Sequence, residues 1–84
     1  MTYYLALATA DGKEISGDRY ERQQYVPGQD MIWVEPGFTG VVSMFLIYKN
    51  MKVKGTPIRT GYIEPHIRMG QGITARLSQI RNVT

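Results

Sequence analysis

The side chains able to do chemistry are few, and their spacing gathers none of them into a working set. His66 is the only histidine, and Glu64 is the one carboxylate close to it in sequence. A metal site needs at least three converging ligands, and the chain has no cysteine to complete one. Ser16 or Ser43 with His66 and Glu64 makes a hydrolytic triad only on paper, because neither serine stands in the strand-turn-helix elbow that exposes a nucleophile. Gly70-Gln71-Gly72 is followed by no lysine and leads into a strand-like segment, so it reads as a tight turn and not as a phosphate loop. The expectation is a protein that is not an enzyme, with no catalytic residues, no metal and no cofactor.

The segments that would position any site are organised around Val41-Val42-Ser43-Met44-Phe45-Leu46-Ile47-Tyr48. This run is rich in the β-branched and aromatic residues that suit a pleated surface. It is short for a core helix and suits a strand covered on both faces. Val41, Phe45 and Ile47 would occupy one face, and Val42, Met44, Leu46 and Tyr48 the other. A first strand over 3–9 sets bulky Tyr3, Leu5 and Leu7 against a second face with Ala6 and Ala8, which approaches something closely. Asp11-Gly12 turns the chain, and a short polar segment follows at 13–15. Residues 20–25 read as a strand with one wet face, closed by Pro27-Gly28, and 31–34 as another.

Residues 57–63 make a further strand, in which Gly61 marks a bulge or a close backbone contact. His66 falls in a loop, Ile67 opens a short edge segment, 73–80 is the last strand, and 81–84 fray. No segment has a helical repeat, and turn signals recur every eight to twelve residues or so. The chain therefore reads as a single all-β domain over 1–84, a small antiparallel β-sandwich of about six to eight short strands.

Composition narrows the function classes further. A chain of 84 residues without disulfides builds a marginal core, and such domains often gain stability from an assembly. The absence of cysteine fits synthesis in a reducing cytoplasm. No apolar stretch approaches the ~20 residues that cross a bilayer, and the first residues lack the basic-then-apolar pattern of a signal peptide. The net charge of +3 hides an asymmetry: residues 1–42 hold three basic and six acidic side chains, residues 43–84 seven basic and one acidic. That pattern suits a dipolar surface meeting complementary neighbours. A nucleic-acid partner is not expected, because the basic residues are not interleaved with aromatics in a known motif.

Three patches in order carry a resemblance. Leu5-Ala6-Leu7-Ala8-Thr9-Ala10-Asp11 is followed by Glu14-Ile15-Ser16-Gly17 and Tyr20-Glu21-Arg22-Gln23; then come Val41 to Tyr48, and finally Gly61-Tyr62-Ile63 with Ile67-Arg68-Met69-Gly70-Gln71-Gly72-Ile73. Together they resemble a family of small tailed-bacteriophage virion structural proteins, through an E-[VI]-S-G-x-x-Y-x-R-Q pattern and the central and closing strands. The chain departs from the family in starting directly on a strand and in replacing its Ala-Gly-Asp turn by Gly70-Gln71-Gly72.

The resemblance implies a structural protein of the virion, made in the host bacterial cytoplasm. A capsid decoration (cement) protein on the major capsid protein is favoured. A tail, baseplate or fibre-attachment component is the alternative, and a carbohydrate-binding module for the host surface a further one. Many copies in an assembly, or a homo-oligomer, would follow. The candidate contact residues are Arg22, Tyr25, Trp33, Phe38, Lys49, Lys52 and Lys54. Arg22 is also expected to pair with Glu14 or Glu21, and Gly17 to take a positive φ.

Overall fold

The computed structural model describes residues 2–15, 21–34, 42–52, 55–69 and 72–83, with side chains for all of these except 33–34, 65–69 and 72–74. The described residues contain six strands and no helix: β1 (Tyr3–Ala8), β2 (Gln23–Tyr25), β3 (Met31–Val34), β4 (Met44–Tyr48), β5 (Arg59–Met69) and β6 (Gly72–Asn82). They form one antiparallel sheet in the order β2-β1-β4-β5-β6-β3. The protein is all-β, as its alternation of side chains implies.

β1 and β4 lie inside the sheet and are buried on both faces. Their register sets Leu5 against Ile47 and Leu7 against Phe45 on one face, and Tyr4 against Tyr48, Ala6 against Leu46 and Ala8 against Met44 on the other. Directly opposed residues share a face, so each pairing feeds one of two cores. The larger core joins Leu5, Leu7, Tyr25, Ile32, Phe45, Ile47, Ala75 and Leu77. The smaller is Ala6, Ala8, Met44, Leu46 and Tyr48, where alanines on β1 make room for long side chains on β4. All five β4 residues are buried, which bears out the reading of this run as a central strand. Val42, assigned by alternation to the second face, instead packs against the larger core, because it precedes the regular strand.

The expectation of two facing sheets is corrected: a single sheet curls into a half-barrel. The chain itself dictates the curl. β2 and β3 are the two edge strands, about 24 Å apart across five strand spacings if the sheet were flat. Only residues 26–30 connect them, and six extended steps from Tyr25 to Met31 reach at most about 20 Å. Those residues also spend length on a reverse turn, with the Gln29 amide donating to the Val26 carbonyl at 2.9 Å. Gly28 there has φ +95°, as the third position of a type II turn after Pro27 requires. The edges must therefore approach, and Tyr25 from one edge meets the same core as Ile32 from the other. Alternation shows that a face is buried; it does not show whether a second sheet or the same sheet bent round covers it.

β5 and β6 are longer than their sequence signals, at 11 residues each. The expected loop at His66 and the separate edge segment at Ile67 are both absorbed into β5, where a register shift between Pro65 and Ile67 makes His66 the extra residue of a bulge. A bulge is one of the few places a strand accepts proline. Residues 81 and 82, expected to fray, belong to β6, and the Val83 amide donates to the Ile58 carbonyl at 3.1 Å.

Candidate interaction surface

The chain's buried charge is a closed arrangement around Arg22. After β1, the Gly12 amide donates to Thr9 O at 2.9 Å in the expected Asp11-Gly12 turn, and the chain returns along β1 with Glu14 bridged to Ala8. The chain meets β1 again at β2, so Glu14 and the residue before β2, Arg22, both lie along this edge of β1. Arg22 Nε and Nη2 donate to the two Glu14 carboxylate oxygens at 3.1 and 2.9 Å, a fork-on-carboxylate geometry. Nη1 donates to the Asn50 carbonyl at 3.0 Å, and the guanidinium lies 3.8 Å from the centre of the Tyr48 ring. Hydrogen bonding to Glu14 raises the Arg22 pKa against the opposing effect of burial. Burial first, and then the Glu14 charge, push the Tyr48 hydroxyl above its ordinary value, with Arg22 pulling the other way. Of the two acids expected as partners of Arg22, Glu14 is the one it meets.

This corrects two of the contact candidates. Arg22 is 8 % exposed and Tyr25 2 %, because one is sealed between Glu14 and Tyr48 and the other faces into the curl. Neither presents a surface to another molecule. Lys49 and Lys52 are exposed on the turn after β4. The backbone of Trp33 lies on β3 opposite Thr74. Its side chain, and the whole of Phe38, Lys54, Ser16 and Gly17, fall outside the described residues.

Strand direction sorts the remaining exposed side chains. Because all neighbours are antiparallel, one rim of the half-barrel collects the start of β1, the turn 26–30, the turn from β4 to β5 and the end of β6. Lys49 and Lys52 sit there with Arg59, which opens β5, and Arg81, which opposes Thr60 near the end of β6. All four are exposed. Four of the five large apolar side chains exposed among the described residues, Val26, Met51, Ile80 and Val83, belong to the same rim. The fifth, Tyr62, lies further along β5 with the Arg81 guanidinium 5.6 Å from its ring centre. The turn that carries Lys49, Met51 and Lys52 is anchored from within by the Arg22 bond to Asn50.

Sequence reading found the two lysines and the Lys49–Lys54 loop around Met51, and missed Arg59, Arg81, Val26, Ile80 and Val83. The signal was available in strand parity: in an antiparallel chain of six strands, the second and fourth connections and both ends of the chain share a rim. No group of three or more potential metal ligands occurs among the described residues, and Glu64 stands across from Arg76 on β6. Comparisons with protein-family models, curated proteins and solved structures gave no match.

Proposed function

We propose that the chain is a non-enzymatic structural protein of a bacteriophage particle, in the first instance a capsid decoration protein that packs against the assembled head. The observation that supports this reading is the division between its two charged regions. The buried one, Arg22 with Glu14, Tyr48 and Asn50, is matched internally, and no described side chain leaves a buried polar atom without a partner. The exposed one places cations and aliphatic side chains together on a single rim, a combination suited to contact and not to turnover. The chain exposes 5538 Å², enough for several contacts of about 800 Å² each. A protein that binds only the assembled lattice stabilises it by mass action.

The experiment is to add purified protein to heads assembled without it and measure both copy number and thermal disruption. Hundreds of copies per head and a raised disruption temperature are the expected result on general linkage grounds. A few copies confined to the tail would move the protein to the baseplate or fibre, and absence from the particle would end the proposal.

A further inference from the structure

The basic rim carries two kinds of side chain, and together they specify what covers it. Lys49, Lys52, Arg59 and Arg81 share the rim with one side-chain carboxylate, Asp30, among its described residues. Charge of one sign selects an anionic partner and steers its approach. The apolar side chains then decide the partner's class. Single-stranded nucleic acid is held by bases stacked on several aromatic rings between cations, whereas the exposed apolar residues of this rim, Val26, Met51, Ile80 and Val83, are aliphatic, and the exposed ring near it, Tyr62, already has the Arg81 guanidinium over it. Anionic lipid is gripped by a continuous amphipathic face, whereas these four are divided among three segments of chain. Protein interfaces, by contrast, are enriched in Met and Arg, and their depletion of Lys spares a polar, charged rim, the place Lys49 and Lys52 would take. The Arg22 bond to the Asn50 carbonyl ties down the backbone of the turn that carries Lys49, Met51 and Lys52, and a backbone held beforehand lowers the ordering cost of docking.

We infer that this rim docks on an acidic protein surface, with carboxylates meeting Lys49, Lys52, Arg59 and Arg81 and an apolar pocket taking Met51. The inference rests on the assembly reading above and adds the chemistry of the partner. The test uses the full chain with four probes: heads lacking the protein, an immobilised glutamate–tyrosine copolymer, oligo(dT), and vesicles containing phosphatidylserine. Lys49→Glu with Lys52→Glu, and separately Met51→Ser, alter the rim; Lys13→Glu with Arg76→Glu is the control away from it. All are at exposed positions, and unchanged melting shows that each variant folds.

The expected result is binding to heads and copolymer that weakens with salt, falls at least about tenfold in the double lysine variant and severalfold in Met51→Ser, and survives in the control. Rim-dependent binding to the copolymer but not to heads keeps the inference and removes the phage head as the assembly. Equal binding of heads by wild type and rim variants overturns the inference while leaving the assembly reading in place. Preference for oligo(dT) or vesicles, or no binding to any probe, also overturns it.

Discussion

The ring of Phe45 rests on the α-carbon of Gly61: a β-carbon at Gly61 would lie 2.6 Å from Phe45 Cζ and 2.7 Å from the Ser78 carbonyl oxygen. The two residues are register partners on β4 and β5, so the Phe45 ring occupies the space a side chain at Gly61 would need. Gly61→Ala must push against a fully buried ring and against backbone, neither of which yields cheaply. The expected loss is about 3 kcal/mol of stability by denaturant unfolding. Phe45→Leu in the same chain should recover part of it, because the backbone clash with Ser78 remains.

Removing Arg22 strips the Glu14 carboxylate of its partner and uncovers the Tyr48 ring. Arg22→Ala should cost about 2 kcal/mol, less than the roughly 3–5 kcal/mol of a fully buried pair, because the Glu14 side chain keeps 27 % of its exposure. Arg22→Lys retains charge but loses the fork and the stacking surface, and should recover less than half of the loss in thermal or urea melts.

Alkaline stability should report Tyr48. Its folded pKa stands above the ordinary value of 10.0, through burial and the Glu14 charge. The unfolded chain therefore gives up this proton first. The contribution is intact below pH 10 and declines as pH rises above it toward the raised folded value. Unfolding free energy measured from pH 8 to above 10 should fall at the upper end, and Tyr48→Phe should flatten that fall.

Gln79 adopts φ 52°, a left-handed conformation uncommon for residues other than Gly, Asn and Asp. It lies where β6 sets two residues, Gln79 and Ile80, against Gly61 of β5. Gln79→Gly should stabilise by up to about 1 kcal/mol, with relief of strain partly offset by the freer unfolded chain. Gln79→Val should destabilise by about 1–2 kcal/mol, because a branched side chain tolerates that backbone least. Paired denaturation curves measure both.

The central strand, the alanine face of β1 and the turns at Asp11-Gly12 and Pro27-Gly28 were all legible in the residues, because each depends on local chemistry. Gly61 was legible as a close backbone contact, made with the Ser78 carbonyl, while the extra residue of the bulge beside it lies on β6 and not on Gly61's own strand. The length of β5 was not, since Pro65 is a stop signal in isolation and only the bulge beside it lets the strand continue. Arg22 could be paired with Glu14 or Glu21 on paper. What decides is that Glu14 and β2 both lie against the edge of β1, a pairing with no local mark. The same holds for the rim, whose members are scattered from Val26 to Val83 and meet only through strand direction.

The five residues between β2 and β3 act as a clasp on a hoop. Strands that are neighbours in the chain become the two lips of the open sheet, each held by a single partner, β2 by β1 and β3 by β6. Assembly should begin in the β5–β6 hairpin, whose contacts are local, and end with the lips drawn together. Lengthening the clasp with glycine would let the seam gape and flatten the sheet, exposing the rings of Tyr25 and Phe45. Curvature in this protein is a property of one short tether.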